Sequence, residues 1–299
     1  MRARTNSTAQ MTSGFSDRFF AGQELPVYVV RAFNDAAESE NKIHDDAVAK
    51  QYGFRGGLVP GVTVHAYMTH PVVEVLGLPW LDHGRMSARF LKPVYEGEET
   101  AISTKVARAW KDGIELELAV HDPSGELCAI GTVALEQPAA APAAGAGAGA
   151  GAVAAREHTG ERPPANEQSL AIGTVLGTLR ETFRQAPDHV TYLAQIGEGL
   201  DLYRGPGAVA HPGWLMRRAN NVLFENVRLG PWIHVSSEVT HLGLLRDGDA
   251  LETRAVVTDL FERKGHRFVD LDVMIIANGD RPVMRAAHRA IYEVRRADA

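Results

Sequence analysis

A repeat constrains this chain more than any other feature. Pro60-Gly61 and Pro212-Gly213 stand 152 positions apart, Trp80 and Trp232 also stand 152 apart, and the turn sequences EGE (Glu96 to Glu98) and DGD (Asp247 to Asp249) stand 151 apart. Landmarks sharing one offset mark an internal duplication, so the chain is read as one structural unit built twice. With 299 residues, each copy has the size of a small domain.

In each copy the Pro-Gly pair opens a long uninterrupted stretch, Gly61 to Leu76 in the first and Gly213 to Leu229 in the second. Both are long enough for a helix and apolar enough to be buried by one broad face. Period-two runs follow, separated by Gly/Asp turns. The first copy has ARFLKPVY, AISTKVARAW, IELELAVHD and LCAIGTVALE; the second has HVSSEVTHLGL, ALETRAVVTDLFE, HRFVDLDVMIIA and PVMRAAHRAIYEV. Such alternation predicts antiparallel strands joined by hairpins such as KDG and ANGD. One central helix followed by four strands, given twice, predicts an α+β fold in which a curved sheet wraps two helices. The halves would pack side by side as a pseudo-dimer that hides the sheet edges, with a cleft between them.

The segment between the copies carries no charge from Gln137 to Ala155, long enough for a membrane span. Its content argues otherwise, because it is almost wholly Ala, Gly and Pro, weakly apolar and rich in helix breakers. With the polar stretch that follows, residues 138–166 are read as a flexible linker between a first domain, 15–137, and a second, 167–299. Residues 1–14 are polar and lack the apolar core of a secretory signal, so they are read as a disordered tail. The net charge of -6 supplies no basic footprint for nucleic acid. A single cysteine, Cys128, cannot form an intramolecular disulfide, and a reducing, cytoplasmic setting is expected. Neither a nucleic acid nor a membrane is an expected partner.

One stretch of the first copy carries chemistry. SENKIHDDAVAKQYGFRGGLVPGV (Ser39 to Val62) resembles the hydratase signature of the MaoC-like, (R)-specific enoyl-CoA hydratase family, whose members have hotdog folds. Asn41, Ile43, His44, Asp46, Gly53-Phe54 and Gly61 fall at the matching positions, and RFLKPVYEGE resembles the family's following strand. The resemblance implies a double hotdog, an acyl-thioester substrate on CoA or acyl carrier protein, no cofactor and no metal, with a homodimer of such chains as the assembly. The motif occurs in the first half alone, since Leu193 and Ile196 stand where Asn41 and His44 would repeat. Ser39 replaces the family's aspartate, which holds the reacting water together with the histidine. Lys42 and Pro60 replace its proline and its second histidine. Glu38 and Glu40 flank the vacant carboxylate position.

The residues can also be read without the family. Adding water across an enoyl thioester needs a base near neutral pH and a proton donor for the α carbon, and a histidine such as His44 supplies both. The enolate oxygen needs fixed donors, which the free backbone N–H groups of Gly61 and Val62 at a buried helix start provide. The candidate catalytic set is thus His44, with Glu40 or Ser39 and Asn41 placing the water; Gly61, Val62 and Gly57 are the substrate-binding set. Asp46 is read as the N-cap of the short helix after it. His44-x-Asp46 with a distant His121 or His211 also has the form of an iron triad. No Cys-x-x-Cys, Walker or Rossmann pattern accompanies it. Arg55 is read as a surface arginine or a CoA phosphate contact, and Trp214, Phe224 and Trp232 as core aromatics or pocket lining. Hydrolysis of the thioester by Glu40 or Asp46, and acyl-ligand binding without turnover, are the competing readings.

Overall fold

The computed structural model describes residues 14–137 and 153–296. Residues 1–13 of the predicted tail and the Ala/Gly-rich part of the predicted linker lie outside the described residues. In the first half, β1 (Tyr28–Arg31) and the short α1 (Asp46–Gln51) precede the long α2 (Gly61–His83). The strands β2 (Arg85–Phe90), β3 (Glu99–Trp110), β4 (Gly113–His121) and β5 (Leu127–Glu136) follow it. The second half repeats the plan with β6 (Leu179–Thr182), α3 (Val190–Gln195), α4 (Pro212–Phe224), β7 (Ile233–His241), β8 (Ala250–Arg263), β9 (His266–Ala277) and β10 (Arg281–Glu293).

All ten strands form one antiparallel sheet in the order β1-β3-β4-β5-β2-β7-β10-β9-β8-β6. The order of the first half is repeated in reverse by the second, as a duplication requires. The two halves join where β2 pairs β7, with Arg85 opposite Thr240 and Arg89 opposite Ser236. That junction closes the inner edges. The outer edges are β1 and β6, strands of four residues each, and short edge strands limit pairing with other chains. Both were missed in the sequence, where four strands per half were expected instead of five. Four residues hold too few alternations to register as period two.

α2 is buried on all sides from Val62 to Thr69, as expected of a helix wrapped by sheet. It outruns the predicted end at Leu76 and continues to His83 through a break at Gly77, whose φ of 63° is a backbone state that glycine adopts without strain. α4 packs against α2 and ends earlier than predicted, at Phe224. Trp80 and Trp232, the matched landmarks, are both buried.

Residues 153–166 are pinned to the second half. Arg156 N–H donates to Thr178 Oγ1 at 3.0 Å, its guanidinium to the Val175 carbonyl at 2.7 Å, and Arg228 N–H to the Pro163 carbonyl at 2.8 Å. No helix among the described residues is long and apolar enough to cross a membrane.

Candidate active site

The start of α2 lies at the junction of the halves. Pro60 caps it in an extended conformation, φ -56° and ψ 138°, and the N–H groups of Thr63 and Val64 both turn back to the Pro60 carbonyl at 2.9 and 3.0 Å. The N–H groups of Gly61 and Val62 therefore remain as first-turn donors with no partner among the described residues. Val62 lines a cavity of about 350 Å³, and Gly61 lines a neighbouring one of about 30 Å³, the volume of a single water.

His44 lines both cavities. Its Nδ1 lies 2.6 Å from the Leu58 carbonyl and its Nε2 lies 3.1 Å from Asn41 Nδ2. A carbonyl can only accept, so Nδ1 carries the proton and Nε2 accepts from the Asn41 amide. Enclosure pushes the ring's pKa down to about 4, opposed in part by the Leu58 bond. The imidazole is neutral at physiological pH, with its lone pair on the side of Asn41 and the cavities.

Asn41 is fixed from the other half. Its Nδ2 donates to the Trp232 carbonyl at 2.9 Å and its Oδ1 accepts the Trp232 N–H at 3.1 Å. Oδ1 also faces the Ile43 N–H at 3.4 Å, capping the turn that presents His44. This pairing settles which end of the amide faces His44.

The structure places four more sequence-derived residues, and for Asp46 it corrects the N-cap reading. Glu40 sits on the cavity rim, where it takes an ion pair from Arg162 at 2.8 Å; the guanidinium draws the carboxylate outward, and its side chain is 75% exposed. Glu40 and His44 both line the larger cavity. The N-cap of α1 is Asp45, which accepts from Val48 N–H at 2.9 Å, whereas Asp46 Oδ1 accepts from Gly57 N–H at 2.7 Å. That bond consumes the Gly57 amide as an oxyanion donor. Gly57 is required for close approach instead: a Cβ there would lie 2.1 Å from the His44 carbonyl oxygen. Ser39 lines the larger cavity, its Oγ 3.5 Å from the Asn41 carbonyl.

The structure adds groups that sequence reasoning missed. Asp35 lines the larger cavity with its carboxylate buried; Thr63 Oγ1 donates to it at 2.8 Å and Arg217 of α4 pairs with it. Burial lowers the Arg217 guanidinium to a pKa of about 10, still fully charged at neutral pH. Asn220 and Asn221, one turn further along α4, complete the polar wall. A legible signal existed in the run Arg217-Arg218-Ala219-Asn220-Asn221, a polar interruption in a helix expected to be buried. His234, from the first turn-out of β7, closes the small cavity.

Of the remaining sequence candidates, Phe224 and Trp232 line the larger cavity, while Trp214 is buried under the Arg218 guanidinium. Arg55 lies over the Tyr95 ring and pairs with Glu98. His211 is the N-cap of α4, accepting from Gly213 N–H at 3.0 Å. The Asp46 carboxylate is engaged by the Gly57 amide while the His44 ring is bound to Leu58 and Asn41.

No family model matches the chain, and no curated protein matches it. Among solved structures it is similar to a protein from Chloroflexus aurantiacus described as a MaoC domain dehydratase, at a TM-score of 0.65 and 13% identity over 97% of this chain and 100% of that one. It is similar to a Mycobacterium tuberculosis protein described as having a double hotdog fold, at 0.62 and 17% over 93% and 98%. A protein from Novosphingobium aromaticivorans described as a thioesterase aligns at 0.53 and 13% over 89% and 95%. The chain is a double hotdog. Proteins of this double hotdog architecture thus carry descriptions both as dehydratases and as thioesterases, and the fold alone does not choose between the two.

Proposed function

We propose that the chain is an enoyl-thioester hydratase or dehydratase of the MaoC-like type, working at the α2 start. The observation that carries this reading is the neutral His44 ring beside a water-sized cavity that Gly61 also lines. In the hydration direction the water oxygen bonds to the β carbon, and the π pair moves onto the thioester oxygen. The N–H groups of Gly61 and Val62 stabilise that oxygen, a kind of contact worth about 3 kcal/mol per donor. His44 Nε2 takes the water's proton and returns it to the α carbon, so the ring ends neutral. For this, the water must displace the Asn41 N–H from Nε2. No cofactor enters these steps.

Support for hydration over hydrolysis comes from the carboxylates. A thioesterase of the kind expected from sequence would aim Glu40 or Asp46 at the carbonyl, but Glu40 is turned to Arg162 and Asp46 to Gly57. The substrate is an acyl thioester on CoA or acyl carrier protein, with its acyl group in the 350 Å³ cavity. Incubation with crotonyl-CoA tests the reading: 3-hydroxybutyryl-CoA is the expected product, whereas release of free CoA thiol would point to hydrolysis, and binding without turnover to a ligand-binding protein.

A further inference from the structure

A nucleophilic water needs two acceptors, so that both O–H bonds are held and a lone pair points at the electrophile. Around the α2 start the obvious candidates fail to supply the second one. Ser39 Oγ is turned to the Asn41 carbonyl at 3.5 Å, Glu40 is paired with Arg162, and His44 Nε2 has a single lone pair, which serves as the first acceptor once the water displaces the Asn41 N–H.

Among the described residues, two buried polar atoms on the lining of the 30 Å³ cavity lack a partner, Asn220 Oδ1 and His234 Nδ1. His234 is 4% exposed. It lines the 30 Å³ cavity together with His44, Gly61 and Asn220. Its nearness to the helix start is measured at Gly61, where a Cβ would lie 3.0 Å from His234 Nδ1. Behind the ring, His234 Nε2 lies 2.8 Å from Ser237 Oγ, and Ser237 Oγ lies 3.0 Å from His288 Nδ1. In the tautomer with Nε2–H donating to Ser237 and the Ser237 hydroxyl donating to His288, the Nδ1 of His234 keeps a lone pair that can accept.

We propose that His234, supplied by the second half, is the second acceptor of the reacting water, opposite His44. The inference rests on the hydration reading above. The water sits in the small cavity with one O–H on His234 Nδ1 and the other on His44 Nε2, its free lone pair directed to the β carbon in the larger cavity. His44 takes and returns the proton; His234 holds the water and keeps its own proton on Nε2. The same strand start performs two tasks, since Trp232 locks Asn41 and His234, two positions on, meets the water.

The test compares His234→Leu, His234→Gln, Ser237→Ala and His44→Ala for hydration of crotonyl-CoA, with thermal unfolding of each. His234→Leu, which keeps bulk and removes the acceptor, is expected to lose about 100-fold in kcat with KM little changed. His234→Gln, whose amide oxygen can accept, is expected to recover about tenfold of that loss. Ser237→Ala releases the tautomer and is expected to lower kcat by about tenfold. If His234→Leu stays within about threefold of wild type while His44→Ala is inactive, the role of His234 is overturned and the hydration reading stands. A wild-type protein that hydrates no enoyl thioester overturns both. Should His234→Leu fail to fold, wild-type kcat in both His234→Gln and Ser237→Ala overturns the inference, and losses in both support it.

Discussion

The side-chain amide of Asn41 and the backbone of Trp232, 191 positions apart, form a paired hydrogen bond across the junction of the two halves. The same amide reaches His44 Nε2 with its remaining hydrogen. The loop bearing His44 is therefore held in place by the half that lacks the motif. This is a physical reason why a duplicated chain with one motif-bearing half needs its other half for a site.

Asn41→Ala removes both bonds to Trp232 and the contact on His44, leaving a backbone donor and acceptor of Trp232 to find other partners. A loss of about 1–3 kcal/mol in unfolding free energy is expected from urea denaturation. A fall in crotonyl-CoA turnover beyond that explained by unfolded protein should accompany it. Unchanged stability and turnover would remove the clamp from the account.

Glu40→Gln and Asp35→Asn separate the rim carboxylate from the buried one. Glu40 is exposed, so its loss is expected to change turnover by less than about threefold. Asp35→Asn leaves the partly exposed Arg217 guanidinium without its counter-charge, and a cost of about 1–3 kcal/mol in stability is expected. Chemical denaturation and steady-state rates check both. The reverse ranking in rate would reinstate Glu40.

Gly61→Ala places a methyl 3.0 Å from His234 Nδ1 and 3.2 Å from Phe90 Cε2. The neighbours must shift, at an expected cost of about 1–3 kcal/mol, and the methyl enters the water-sized cavity. Turnover is expected to fall more steeply than the melting temperature. A variant of wild-type rate would show that no reacting group occupies that cavity.

Buried histidines give the fold an acid limit. Burial lowers the pKa of His65 to about 3, with His241, His211 and His288 adding to it, and burial lowers His241 to about 4 and His288 to about 3. Unfolded, each returns to near 6.5. Below pH 6.5 the unfolded chain binds more protons than the folded one, so stability falls as pH drops through 6.5 towards 4, with each ring contributing a slope of up to about 1.4 kcal/mol per pH unit. Both ring nitrogens of His65 lack partners, and His65→Phe is expected to flatten the fall in melting temperature between pH 7 and 5. An unchanged slope would contradict the burial argument.

Much of this fold is legible in the sequence because the long elements carry strong periodicity. LCAIGTVALE and HRFVDLDVMIIA match β5 and β9 end to end, since their alternation is bounded by turn residues. β1 and β6 are invisible because pairing with β3 and β8, not their own pattern, makes them strands. In the site, the Ser39 to Val62 stretch is local enough to read. Asp35 carries no local pattern that marks it, although Thr63 of its own half holds it at the α2 start. The polar run at Arg217 marks α4 as unusual, but only the folding of one half against the other shows that Arg217 and His234 reach that place. The ion pair of Glu40 was not legible for the same reason: its partner Arg162 lies beyond the first half.

The most direct test of the account is kcat/KM for crotonyl-CoA hydration by the wild-type protein and by His44→Ala, measured side by side with product identification. The account predicts 3-hydroxybutyryl-CoA from the wild type and a loss of about 100-fold or more in the variant. Equal rates in the two proteins, or a wild type that yields only free CoA, would contradict it.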